Sequence, residues 1–205
     1  MDKKIIVIDL DGTFVSVNTF HKWMKFVALK SLQKLYLISI IKIFWIIFRR
    51  AIKSINHGQM KFAILKISEK TMSALDIEDF VKSLDKYVHQ DILKHLKNPN
   101  YMTILATAAP QIYAKKIQEV YAFNYEVSTP VSSQTPWKEN LKETKKQNVL
   151  KLLKEERLSL NIDILFTDHH DDLPLMKYAK ETYLVGASEK TLKILKEKSL
   201  DFESL

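Results

Sequence analysis

The chain has no cysteine, which excludes disulfide bonds and thiol chemistry and suits a reducing compartment. It has no low-complexity tract and no internal repeat, and its composition is that of an ordinary folded protein, 46% apolar and 27% charged. No Asp or Glu occurs from Gly12 through Ser68, although that segment holds ten Lys and Arg residues. The rest of the chain has 22 basic against 24 acidic residues, so the whole excess behind the net charge of +8 lies in one segment. Such a segment is drawn to anionic surfaces: lipid headgroups, nucleic acid or phosphorylated substrates. The start, MDKKIIVIDLDGT, lacks the long uninterrupted apolar stretch of a signal peptide, so a cytoplasmic protein is expected. Glycine is scarce too. There are three, and one of them, Gly12, directly follows a strand-like run that ends in two aspartates.

At 205 residues there is room for one full core and a modest insertion. Five short runs read as buried parallel strands because they are apolar without alternation: Ile5–Asp9, Met102–Ala106, Tyr125–Thr129, Asp163–Thr167 and Thr182–Gly186. Helical patterns separate the last four, in PQIYAKKIQEVYAF, KKQNVLKLLKEE and DLPLMKYAK, the first opening on Pro110. Strands alternating with helices predict an α/β fold, a doubly wound Rossmann-like parallel sheet with its ligand crevice at the carboxyl ends of the strands. Residues 16–95 break that rhythm and read as wholly helical. They are expected to form a helical cap inserted after the first strand, the α/β core being residues 1–15 and 96–205.

Asp9 and Asp11 sit at the carboxyl end of the first strand. On a straight strand they would face opposite ways, but a sharp turn permitted by Gly12 would aim both into the crevice. Phosphoryl transfer needs such a set: one carboxylate to attack phosphorus, a second to handle the proton, and a divalent cation to cover the charge. A plain Asx turn would use the same residues. In ILATAAPQ, Thr107 ends the second strand before a helix starting near Pro110. Its hydroxyl and the N–H groups of Ala108 and Ala109 could form an anion site, or Thr107 could simply cap the helix. In LFTDHHDDLPLM, Asp168 and Asp172 add two carboxylates, making with Asp9 a hard oxygen set suited to Mg2+. His169 and His170 invite a zinc reading, but no further His or Cys is placed to complete a tetrahedral site. Lys145 and Lys146 lead the helix before that strand. Either could neutralise phosphate in the crevice, or belong to a solvated helix face.

These motifs, DLDGT, a strand ending in Thr107, a lysine-led helix and DHHDDLPLM, resemble in order the four motifs of the haloacid dehalogenase-like superfamily. The inserted helices are similar in position to the cap of its phosphoserine-phosphatase-like branch. The resemblance covers the core. It implies a Mg2+-dependent phosphatase with Asp9 as nucleophile and metal ligand, and Asp11 as general acid/base lending its carbonyl to the metal. It further implies phosphate binding at Thr107 and Ala108, and metal binding at Asp168 and Asp172. For the lysine, spacing to Val149 and Leu150 favours Lys146, with Lys145 the alternative. The chain departs from the family pattern at Thr167 and His169, where glycine and a small residue usually flank the aspartate. The glycines that usually precede the lysine helix are also missing.

Phosphoserine phosphatases are similar in the core but carry a cap glutamate just past the first motif that reads the substrate amine. Here no acid appears before Glu69, so phosphoserine is disfavoured. The stretch LYLISIIKIFWIIFRR points elsewhere. From Leu35 to Phe48 only Ser39 and Lys42 are not apolar, and basic residues flank the run. It is shorter than the about 20 apolar residues that a simple membrane span needs. A helix of this kind, within residues 26–53, fits one lying on an anionic membrane, with a lipid phosphate such as phosphatidylglycerophosphate as substrate. The competing readings are a buried cap helix or homodimer contact in a soluble metabolite phosphatase, and a non-catalytic binding module. Nucleic-acid binding is disfavoured, because the basic segment is greasy and no recognition motif accompanies it.

Overall fold

The computed structural model describes residues 3–205; Met1 and Asp2 of the expected core lie outside them. Strands β1 (Lys4–Ile8), β2 (Tyr101–Pro110), β3 (Tyr125–Thr129), β4 (Ile162–Thr167), β5 (Ala179–Leu184) and β6 (Glu203–Ser204) form one parallel sheet in the order β3-β2-β1-β4-β5-β6. The order reverses direction on either side of β1, as in a doubly wound fold, and this puts the crevice at its carboxyl end. Helices α6 (Gln111–Val120), α7 (Glu143–Glu155), α8 (Leu173–Met176) and α9 (Glu189–Glu197) follow β2, β3, β4 and β5.

Successive residues of β1 feed opposite layers. Ile6 and Ile8 join the cluster that contains Phe14, Trp23 and Tyr113, whereas Ile5 and Val7 join Val149, Leu153 and Leu195 on the other face. All four are essentially inaccessible, and each such side chain contributes about 1.5–3 kcal/mol by leaving water. The strand expected at Thr182–Gly186 begins earlier, at Ala179. Lys180 and Glu181, which follow Ala179, are exposed and polar, so the strand's start carries no apolar run. The two-residue β6 was not anticipated, for the same reason.

Between β1 and β2 lie α1 (Thr19–Gln33), α2 (Leu37–Ala51), α3 (His57–Thr71), α4 (Ala74–Lys82), a 3-10 turn (Asp85–Tyr87) and α5 (Gln90–Leu96). The chain leaves and re-enters the core side by side: Val15 and Val88 form an antiparallel bridge, with Ser16 N–H donating to Tyr87 O and His89 N–H to Phe14 O, both at 2.9 Å. Helix α5 lies beyond this bridge and packs against β2. The cap is seated on the core through rings. Trp23 of α1 and Phe80 of α4 meet Tyr113 of α6, with centroids 4.8–5.2 Å apart.

Helix α2 is set apart. The apolar run does not continue α1, because Leu35 takes a positive φ of 56° and turns the chain between them. Of α2, only Ile43 is buried. Leu37, Ile38, Ile41, Phe44, Trp45 and Phe48 are each more than half exposed. The reading of this helix as buried within the cap is thereby corrected: the cap is one helix deep here, so a single apolar stripe finds a partner layer. No helix among the described residues is long and apolar enough to cross a membrane.

Candidate active site

After β1 the backbone doubles back. Phe14 N–H donates to Asp9 O at 3.2 Å, Val15 N–H to Leu10 O at 2.9 Å, and Gly12 N–H to Val15 O at 2.8 Å. Gly12 holds φ at +80°, a conformation closed to most side chains. The turn carries Asp11 to the same side as Asp9. Both line a cleft of about 420 Å3 with Thr107, Ala108, Lys145, Asp168 and Asp172.

Lys145 is buried, and its Nζ lies 2.7 Å from both Asp9 Oδ1 and Asp172 Oδ2. Asp172 is held further by the Thr167 hydroxyl, which donates at 2.8 Å. The expectation of Lys146 at this place is corrected. Lys145 shares a helix face with the buried Val149 and Leu153, one and two turns on, whereas Lys146 is half-buried away from the cleft, paired with Glu143 and lying over the Tyr178 ring. Helix phase, fixed by packing, decides between neighbours 100° apart.

Thr107 falls short of the strand end, because β2 runs on to Pro110 through an irregularity in its register with β3. Ala109 N–H is already engaged, donating to Thr107 Oγ1 at 3.0 Å. That corrects the expected pair of free N–H groups, although the Thr107 hydroxyl keeps its own proton to donate. Ala108 lines the cleft too, its carbonyl accepting from Lys61 and from the Thr129 hydroxyl. The loop after β3 is pinned beneath Thr107 by Asn140. This fully buried residue donates to Thr107 O at 2.9 Å and to Val127 O at 3.0 Å.

Charge in the cleft is unbalanced. Burial pushes Asp9 up to about 8; Lys145 opposes this, while Asp172 and Asp168 add to it. Burial also lifts Asp168, to about 6, with Asp172 reinforcing it and His169 opposing. Asp11 is raised by burial too, against the Thr19 N–H, which donates to its Oδ1 at 2.7 Å from the first turn of α1. For Lys145, burial disfavours the ammonium, but Asp172 and Asp9 outweigh it and keep the pKa above its usual value. Asp9 and Asp172, both buried, and the half-buried Asp11 and Asp168 thus share the cleft with Lys145 as the one ammonium that pairs with any of them. Hard oxygen donors with uncompensated negative charge are what a dication such as Mg2+ requires, so the residues present fit that ion.

Sequence reasoning missed the groups that meet the cleft from elsewhere. Lys61, buried on α3, reaches in from the cap and pairs with Glu139 of the loop after β3, beside His57 and Phe20. Glu139 is an acid in the cleft, but it comes from the core and is already paired. The same loop grips α3 twice more, through Phe62 against Trp137 and through Glu69, which accepts from Ser132. His169, His170 and Asp171 bring three possible ligand atoms within 4.8 Å of one another at the rim. His170 Nδ1 is engaged with the Thr191 hydroxyl and Asp171 lies 3.4 Å from Lys142.

The sequence profile of the haloacid dehalogenase-like hydrolases matches residues 6–177. Among solved structures, a Bordetella pertussis Tohama I protein of unknown function superimposes with a TM-score of 0.77 at 13% identity, 99% of each chain being covered. A substrate-bound phosphoserine phosphatase gives 0.60 at 18% identity, over 100% of this chain and 93% of its own. A phosphoserine phosphatase bearing an analogue of its phospho-aspartyl intermediate gives 0.57 at 20%, over 100% and 94%. At such identities the likeness is one of fold. No curated protein matches the sequence.

Proposed function

This chain belongs to the haloacid dehalogenase-like hydrolase family, and on that premise we propose that it is a Mg2+-dependent phosphomonoesterase working through an aspartyl-phosphate on Asp9. Support comes chiefly from one observation: Lys145 bridges Asp9 and Asp172 in a cleft that Asp11, Thr107 and Asp168 also line. An Asp9 carboxylate oxygen attacks phosphorus, and the bond to the leaving oxygen breaks. Asp11 donates the proton that this oxygen takes up. Asp11 then removes a proton from water as the water oxygen attacks the acyl phosphate, which frees phosphate and restores the Asp9 carboxylate. The Thr107 hydroxyl and Lys145 ammonium bind the phosphoryl oxygens and stabilise the charge that grows on them. Asp9, Asp168, Asp172 and the Asp11 carbonyl are the groups that would hold Mg2+, which supplies further neutralisation of the phosphoryl charge when bound.

The substrate in this reading is an amphiphile, a lipid phosphate such as phosphatidylglycerophosphate, met at an anionic membrane surface. The exposed apolar face of α2, flanked by Lys and Arg and free of acids, supports this. Asp9→Asn is expected to reduce Mg2+-dependent hydrolysis of a generic aryl phosphate on the order of 10⁴-fold or more. Parent-like turnover would end the mechanism. Sedimentation with anionic liposomes at low salt, weakened at high salt, is expected of the parent. Failure to sediment would leave a phosphatase of soluble metabolites.

A further inference from the structure

A furrow separates α2 from α3 on the cap. Its floor is apolar, built from Trp45 and Ile46 of α2 and Ala63 and Ile67 of α3, and its volume is about 320 Å3. The lining as a whole recurs at three- and four-residue spacing, Ser39, Lys42 and Trp45 on α2 and Ala63, Ile67 and Lys70 on α3, so the furrow follows the helix axes. At its end it shares Ser39, Lys70 and Thr71 with a second hollow of about 550 Å3, which runs on to Leu35 and Ile38 at the turn between α1 and α2. Three lysines, Lys42, Lys66 and Lys70, stand along the first furrow, all exposed. Of the other cap lysines, Lys30 and Lys34 pair with Asp76 and Lys61 with Glu139; what sets Lys42, Lys66 and Lys70 apart is that all three stand along one apolar furrow. Among the described residues no carboxylate lies within ion-pair distance of Lys42, Lys66 or Lys70. Lys66 rests over the Phe62 ring at 4.7 Å, a weak contact that an anion would displace.

We infer that this furrow is a second lipid site: it takes an acyl chain of an anionic membrane phospholipid, with Lys42, Lys66 and Lys70 on the phosphate. The inference rests on the reading of α2 as the face turned to the membrane. The space suits the occupant, for 320 Å3 holds roughly ten groups the size of a water molecule, comparable to a stretch of methylenes. Charge selects the headgroup. Three unpaired ammonium groups beside an apolar trough match one phosphate joined to a hydrocarbon tail, whereas a second copy of this acid-poor segment would bring like charge against like. Position separates this site from the catalytic one. On α3, Lys61 points into the cleft, and Ala63 and Lys70 lie about half a turn round from it. A lipid in the furrow is therefore not the substrate. It anchors the cap from behind, with its tail beside the exposed Leu37, Ile38 and Ile41, and leaves the cleft free for phosphate esters.

The test uses the full chain and two probes. One is monomeric short-chain phosphatidylglycerol below its micelle concentration, its binding followed by titration calorimetry. The other is vesicles of phosphatidylglycerol or phosphatidylcholine. The monomeric lipid is expected to bind saturably. Ala63→Trp, which fills the trough, and the Lys66→Ser/Lys70→Ser double variant should each weaken it at least tenfold. Aryl phosphate hydrolysis should stay within twofold of the parent in both, which also shows that they fold. If the parent sediments with phosphatidylglycerol vesicles yet does not bind the monomer, or if both variants bind it unchanged, the furrow is overturned and the membrane-facing reading stands. If the parent sediments with neither vesicle, that reading fails. Should sedimentation velocity then show a dimer that Ala63→Trp dissociates, a second copy occupies the furrow and the lipid site is overturned.

Discussion

Replacing Gly12 by alanine tests how the turn after β1 and the acids proposed to hold metal depend on one another. Gly12 sits at φ +80°, and a Cβ built on it would lie 2.3 Å from Asp168 Oδ2 and 2.7 Å from its Cγ. Ordinary contact begins at 3.4 Å, so the Asp168 carboxylate must retreat about 1 Å from the cleft. Backbone strain at the left-handed φ adds about 1–2 kcal/mol of destabilisation. Displacing a reacting or binding group by that distance costs on the order of 10²-fold in rate. Gly12→Ala is therefore expected to lose about 100-fold in aryl phosphate hydrolysis and to need more Mg2+ for half-maximal rate. Urea unfolding should show a loss of about 1–3 kcal/mol with an unchanged slope. Gly186→Ala is the control. Its φ is also positive, at +58°, but nothing lies within 4 Å of the added Cβ, so it should lose stability alone. A folded Gly12→Ala protein with parent-like rate and Mg2+ dependence would refute the reasoning, because Asp168 would then not be where metal or substrate feels it.

Lys145→Met should cost on the order of 10²–10³-fold in turnover, since it removes the one ammonium between Asp9 and Asp172. Lys146→Met removes a pairing with the exposed Glu143 and a contact over the Tyr178 ring, both away from the cleft, and should leave turnover within twofold; the reverse ranking would restore Lys146 to the cleft. Asp76 anchors the cap. Burial alone would raise its pKa, but Lys34 and the N–H and hydroxyl of Ser73 outweigh burial and hold it well below the usual carboxylate range. A depressed pKa stabilises the fold above the unfolded-state value and loses that contribution as pH falls through the folded value. Asp76→Asn should accordingly cost about 1.5–3 kcal/mol at pH 7 by urea unfolding, and the gap to the parent should shrink below about pH 4.

The convergence of four acids on one cleft was legible because each is fixed by local chain features. Asp9 and Asp11 follow the apolar β1 at a glycine turn, Asp168 directly follows β4, and Asp172 closes the short 3-10 turn before α8. A doubly wound sheet then brings the carboxyl ends of adjacent strands together whatever the loops do. The choice between Lys145 and Lys146 was not legible from spacing. One residue is one-hundred-degree rotation, and only the burial of Val149 and Leu153 against the sheet sets that phase. Lys61, His57 and Glu139 left no local trace either. They reach the cleft from a cap helix and a distant loop, so their neighbourhood exists only after the cap closes on Val15 and Val88.

The greasy stretch marks the same boundary from the other side. Its apolar content and its lack of acids are properties of the chain, fixed by composition at every stage of folding. Whether that surface is covered is not. The turn at Leu35 stacks α2 on α1 and α3 along one narrow stripe around Ile43 and leaves the rest outward, because coverage depends on which segments remain to lie against it.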